Sequence, residues 1–157
     1  MTKGCGLVPE QVPTQVFEGR AMVAGEAAGQ VLRLDEPLSF WGGLDPATGR
    51  IIDRRHPQVG QSVTNQVLVM PSGRGSSSGS STLCEAVRAG TGPAAILMVE
   101  PDEIIALGAV VADEIYGRLI PVVVLPADRF DDLSTGIRVE VSGAVCRVGA
   151  SGQTASA

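Results

Sequence analysis

Aromatic residues are scarce in this 157-residue chain: one Trp, one Tyr and three Phe make up 3% of it. Base-stacking platforms for nucleic acid are built from such side chains, which argues against that class. An excess of positive charge is also missing. Seventeen acids against twelve Lys and Arg give a net charge of −5, the wrong sign for a phosphate-backbone binder. The three cysteines, Cys5, Cys84 and Cys146, form no CxxC pair, and His56 is the only histidine. A metal site held by this chain alone is therefore not expected, and unpaired thiols fit a reducing cytoplasm. Cys84 and Cys146 read as small buried apolar residues. No apolar run reaches the roughly 18 residues that a membrane helix needs. The opening MTKGCGLVPEQ lacks the apolar stretch of a signal peptide.

What is present is aliphatic. The chain is 44% hydrophobic, so its core is expected to be Val, Ile, Leu and Ala, in one domain. Residues 1–15, with Pro9 and Pro13, read as an N-terminal arm, residues 16–149 as the domain, and ASGQTASA (150–157) as a flexible tail. Gly19, Gly25 and Gly29 break VFEGRAMVAGEAAGQVLRL (16–34) into strands with bends or bulges. Residues 36–63 form a long loop-rich stretch with turn signals at GG, DPATG and HP. NQVLVMPS (65–72), PAAILMVE (93–100) and IPVVVLP (120–126) read as buried strands. A helix to about Ala89, capped by Ser80 or Ser81 and stopped by Gly90, lies between the first two. The second helix (101–117) opens on a proline and two acids. Ile104, Ile105, Leu107, Val111 and Ile115 recur along it at helical spacing, with Asp113 and Glu114 on its wet face. IRVEVSGAVCRVG (137–149) alternates about Ser142-Gly143, as a hairpin does. The order β-α-β-α-β predicts an α/β fold with a parallel core sheet, to which flanking antiparallel strands are added.

Between the first buried strand and the first helix stands SGRGSSSGSS (72–81), Gly and Ser apart from Arg74. A linker would separate domains, whereas this segment sits inside the only core. Glycines let successive N–H groups turn inward, the following helix adds its positive end, and Arg74 can grip a carboxylate in two parallel bonds. The loop is not a P-loop, for no Lys precedes its hydroxyl residues, and Gly79 falls one position too late for GxGxxG. A serine triad would have to recruit His56, and nothing in the spacing brings it near.

Strand, then SGRGSSSGS, then helix resembles the swivel domain of the aconitase superfamily. FWGGLDPATGRIIDRRHPQVGQSV, VLVMPSGRGSSSGS, PAAILMVEPDEIIALGAVVADEIYG and IPVVV extend the likeness to the small subunit of aconitase X, over roughly residues 17–148. The resemblance implies a swivelling β/β/α barrel-like domain in a two-chain hydro-lyase. It implies that a large subunit carries an iron or iron–sulfur centre, which takes the leaving hydroxyl as a Lewis acid. Matching the loops puts Ser76 at the catalytic base, with Arg74, Gly75, Ser77 and Ser78 binding substrate; the family's Arg after the two serines is replaced here by Ser78, so that its carboxylate contact falls either to Arg74, from the other side, or to a large-subunit residue. Known members dehydrate cis-3-hydroxy-L-proline or mevalonate 5-phosphate. The first is expected here, because one basic residue in the loop suits a carboxylate better than a phosphate plus a carboxylate.

An unassisted hydroxyl is nearly as weak an acid as water, with a pKa of about 15.7. Bringing it to neutrality takes about 12 kcal/mol, of which a helix N-terminus supplies at most about 2. The chain by itself is thus expected to be inert. His56 reads as a loop brace, with a place at the cleft or subunit interface as the alternative. Asp53-Arg54-Arg55 reads as a solvated run that the resemblance brings near the cleft, and Trp41 as a packing residue in the core or at an interface. Another class also stays open, a carrier or stand-alone anion-binding module. A phosphohistidine carrier would need its histidine inside the Gly/Ser loop, and His56 is outside it.

Overall fold

Runs of Val, Ile and Leu between turn signals become the strands. The computed structural model describes residues 15–149, so all of the expected tail and the arm up to residue 14 lie outside it. The strands are β1 (Gln15–Glu18), β2 (Arg20–Val23), β3 (Glu26–Arg33), β4 (Leu44–Asp45), β5 (Arg50–Ile51), β6 (Val67–Met70), β7 (Ala95–Met98), β8 (Val122–Val124), β9 (Arg138–Ser142) and β10 (Val145–Val148). Two full helices, α2 (Gly79–Ala89) and α3 (Glu103–Tyr116), follow an irregular single turn, α1 (Phe40–Gly43).

Eight strands make one sheet in the order β1-β10-β9-β3-β6-β7-β8-β2. The core strands β3, β6, β7 and β8 are parallel, and β9, β10, β1 and β2 are added antiparallel at the two sides. β1 and β2 stand at opposite edges, yet only Gly19 separates them in sequence. The edges must therefore approach each other, and the sheet curls into a nearly closed barrel. Gly19 donates its N–H to the Ala144 carbonyl at 2.8 Å. A Cβ there would strike the Val124 carbonyl oxygen and lie 2.8 Å from Val123 Cγ1. Only a glycine lets one continuous run serve both edges.

Side-chain alternation splits the core in two. Phe17, Val67, Val69, Leu97, Val123, Val139, Val141 and Cys146 pack within the curl. Leu68, Met70, Ile96 and Met98 point the other way, towards Leu83 and Val87 of α2 and Ile105 and Ala109 of α3. The β9–β10 hairpin turns at Gly143, whose φ is +60°, as the Ser142-Gly143 pair predicts.

Three expectations need correction. α2 begins at Gly79, and Ser78 at its N-cap makes no side-chain cap bond, so neither Ser80 nor Ser81 caps it. The turn from Ser76 to Gly79 runs straight into the helix (Gly79 N–H to Ser76 O, 3.0 Å) and so starts it earlier. The stop at Gly90, with φ +79°, is as expected. In α3 the buried face is Ile105, Gly108, Ala109 and Ala112, while Leu107 and Ile115 are exposed. Small residues win that face because α2 lies so close: a Cβ on Gly108 would be 2.9 Å from the Ser80 carbonyl oxygen. Trp41 is 62% exposed, which excludes the core place expected for it and leaves the interface one; Phe40 beside it fills the core place.

Candidate active site

In a parallel sheet the chain leaves every strand at the same edge, and ligands gather there. Three such exits converge here: residues 34–43 after β3, 71–78 after β6 and 99–102 after β7. Leu38 bridges to Gly73 in parallel fashion. A Cβ on Gly73 would run into Asp102 Oδ2 and lie 2.6 Å from Ile105 Cδ1. Gly75 has φ +106°, and a Cβ there would strike Ser39 Oγ. Close approach by the start of α3 and by Ser39 thus favours glycine at both positions, and the positive φ of Gly75 strains any other residue there. A spacer would show no such fit.

The serines form the first turn of the site. Ser76 Oγ accepts the Ser78 N–H at 3.1 Å, which sets it at the positive end of α2. Ser80 Oγ donates to the Ser77 carbonyl (2.9 Å) and Thr82 Oγ1 to the Ser78 carbonyl (3.3 Å), fixing the turn below. Arg74, Gly75, Ser76, Ser77 and Ser78 are all exposed. Gly75 to Gly79 has the Gly-x-Ser-x-Gly spacing of a nucleophile elbow centred on Ser77. Eight residues, 71–78, separate β6 from α2, however, and no sharp strand-to-helix turn is made.

His56 is 4% exposed, and its ring bonds to none of the serines. Its Nδ1 accepts the Gln58 N–H at 3.1 Å, which leaves the proton on Nε2 to donate to the Glu36 carbonyl, also at 3.1 Å. Both ring nitrogens are thus committed to bracing the 36–58 segment. Asp53 is brought to the loop: its Oδ2 lies 3.8 Å from an Arg74 guanidinium nitrogen. Among the described residues no group of three or more His, Cys, Asp or Glu side chains could hold a metal ion. An iron or iron–sulfur centre does not fit this chain's described residues.

Two residues of this edge escape sequence reading. Asp102 shows in the sequence only as one of two acids in a helix's first turn. Its Oδ1 does cap α3, accepting the N–H groups of Ile104 (2.9 Å) and Ile105 (3.1 Å), but its other oxygen faces Gly73. Ser39 carries no signal at all, since its contact with Gly75 spans 36 positions of chain.

A curled sheet with a parallel core, carrying a glycine-shaped, hydroxyl-rich loop at the helix-N-terminal edge, defines an α/β swivel-type domain. Residues 16–148 match the aconitase X swivel domain family, to which the chain belongs. It is 50% identical over 115 residues to a cis-3-hydroxy-L-proline dehydratase of Pseudomonas aeruginosa, a match covering 73% of this chain and 20% of that protein. It is 42% identical over 123 residues to the phosphomevalonate dehydratase small subunit of Methanothermobacter thermautotrophicus, covering 78% of this chain and 89% of that one. The crystal structure of Thermococcus kodakaraensis aconitase X in its holo-form superposes with a TM-score of 0.77 at 34% identity, covering 85% of this chain and 98% of that one. The chain thus spans about a fifth of the hydroxyproline dehydratases it resembles, and most of the small subunit.

Proposed function

We propose that this chain is the swivel part of a hydro-lyase that dehydrates cis-3-hydroxy-L-proline to pyrroline-2-carboxylate. The observation that carries this reading is the 50% identity, over 115 residues, to a protein of that name. The site agrees in its chemistry. Arg74 grips the substrate carboxylate, and the positive end of α2 adds to the same attraction. Asp102 Oδ2, against Gly73, suits the ring ammonium of an amino acid and would repel a phosphate. Ser76 takes the α-proton; the C–H electron pair forms the new double bond as the C–O bond breaks. The departing hydroxide takes the proton from Ser76 and leaves as water, which restores the base, and the enamine tautomerises to the product.

The serine base is possible only under cover. The single N–H donor at Ser76 and the helix end supply a small part of the roughly 12 kcal/mol needed, and the loop is exposed. A larger catalytic part must close over it. That part also holds the iron or iron–sulfur centre, which would supply Lewis-acid assistance to the departing hydroxyl. The assembly is placed in the cytoplasm, where unpaired thiols stay reduced. A second reading, mevalonate 5-phosphate dehydration, draws on exposed Arg54 and Arg55, next in sequence to Asp53, which offer a phosphate two charges.

The test compares the purified chain with the chain reassembled with its larger part. Each is given cis-3-hydroxy-L-proline and, separately, mevalonate 5-phosphate, and products are read by mass spectrometry. Pyrroline-2-carboxylate is expected from the assembly only. Turnover of the phosphate compound alone transfers the chain to the second reading, and turnover by the isolated chain removes the need for a partner.

A further inference from the structure

Arg74 poses a mechanical problem. It stands between two glycines, Gly75 with positive φ, and its side chain is 61% exposed. A long cation on such a mount samples many rotamers, and a carboxylate grip works only if the fork is already aimed. Among the described residues its one ion-pair partner is Asp53, at 3.8 Å and with 25% of its side chain exposed.

Asp53, unlike Arg74, is rigidly mounted. Its Oδ1 accepts the Arg55 N–H at 3.0 Å, and its carbonyl accepts the His56 N–H at 3.1 Å. His56 is tied in turn to Glu36 and Gln58 through both ring nitrogens. On the other side the Ile52 N–H donates to the Gly43 carbonyl at 2.8 Å, next to the turn that carries Trp41. A Cβ on Gly43 would lie 3.9 Å from Asp53 Cβ, so the aspartate is packed against that turn.

We propose that Asp53 is a positioning residue. The His56-braced loop holds its carboxylate beside Arg74 and so aims the guanidinium across the mouth of the Gly/Ser loop. The two charges meet at 3.8 Å, longer than a hydrogen bond, so the pair directs the fork without occupying it. The substrate carboxylate then takes the free N–H groups. This rests on the reading of Arg74 as the substrate's carboxylate contact.

Asp53→Asn is the clean probe. The amide oxygen can still accept the Arg55 N–H, so the turn survives, but the charge facing Arg74 is gone. In the assembled enzyme, KM for cis-3-hydroxy-L-proline should rise about two- to fivefold, the range a half-exposed ion pair carries, with kcat little changed. In an Arg74→Ala background the same substitution should change KM no further, because the group it aims is absent. A role in loop structure alone predicts the opposite: Asp53→Asn neutral, or Asp53→Asn and Asp53→Ala acting equally with and without Arg74. Either result overturns the proposal. If Arg74→Ala itself leaves KM at the wild-type value, the carboxylate-grip reading fails and the proposal with it. If Arg74→Ala raises KM while Asp53→Asn does not, the proposal fails and that reading stands.

Discussion

The hydroxyl of Ser76 accepts a backbone N–H, and that is the feature that separates it from its neighbours. A hydrogen bond to the oxygen favours its charged form, and the helix end adds to the same effect. Ser77 and Ser78 contribute carbonyls to the turn, leaving their side chains exposed above it. In the assembled enzyme Ser76→Ala should therefore lower kcat by roughly 10²–10⁴, with the fold intact. Ser77→Ala and Ser78→Ala should act on KM instead. Retention of substrate α-proton exchange at the wild-type rate in Ser76→Ala would place the base elsewhere. Cys146 offers a second test at this scale. Burial in the barrel pushes its thiol from 9.0 up to about 11. Below pH 9 the thiol is neutral in both folded and unfolded chains. Between pH 9 and 11 the unfolded chain loses its proton first, so the folded state is undercut by roughly 2–3 kcal/mol. Urea midpoints should fall over that window in the wild type and fall less in Cys146→Ala; equal slopes would show that the thiol is not sealed from water.

Among the elements, the joint between β1 and β2 is the most constrained. A single residue carries the chain from one sheet edge to the other, with the Val124 carbonyl on one side and a bond to Ala144 on the other. Gly19→Ala should force these apart at a cost of about 1–3 kcal/mol, a fall in Tm of roughly 3–10 °C for a domain of this size. An unchanged Tm in a calorimetric scan would mean that the edges do not meet there. The two long helices tell a related story. α3 gives its small residues to α2 and turns Leu107, Val110 and Ile115 outward, because backbone approach at Gly108 decides which face goes in.

For the whole molecule, the openness of the proposed site governs how it could work. A serine base needs dry surroundings, and every residue from Arg74 to Ser78 is exposed. Trp41 stands 62% exposed in the turn that follows Ser39, itself in contact with Gly75. If the larger part of the enzyme closes over this edge, Trp41 is the side chain best made to anchor it. Trp41→Ala should weaken association with that part by roughly 10–100-fold and leave the Tm of the isolated chain within a degree or two. Binding at wild-type strength in a titration would show that closure uses another face.

The sequence by itself determined the local elements and the place of the Gly/Ser loop among them. Buried strands at Val67–Met70, Ala95–Met98 and Val122–Val124, helices stopped by Gly90 and Gly117, and the hairpin about Gly143 are all written in short-range apolar spacing and turn chemistry. The Gly/Ser loop could be read as a site because it falls between a buried strand and a helix. Tertiary structure alone decided the closure of the barrel at Gly19, the turning of α3, the approach of Ser39 and Asp102 to the loop, and the tie from His56 through Asp53 to Arg74. Each of these joins residues far apart in the chain, or depends on how closely two backbones pass. Spacing along a sequence records which face of an element is apolar, but the partner that face meets, and at what distance, is settled only when all the elements pack.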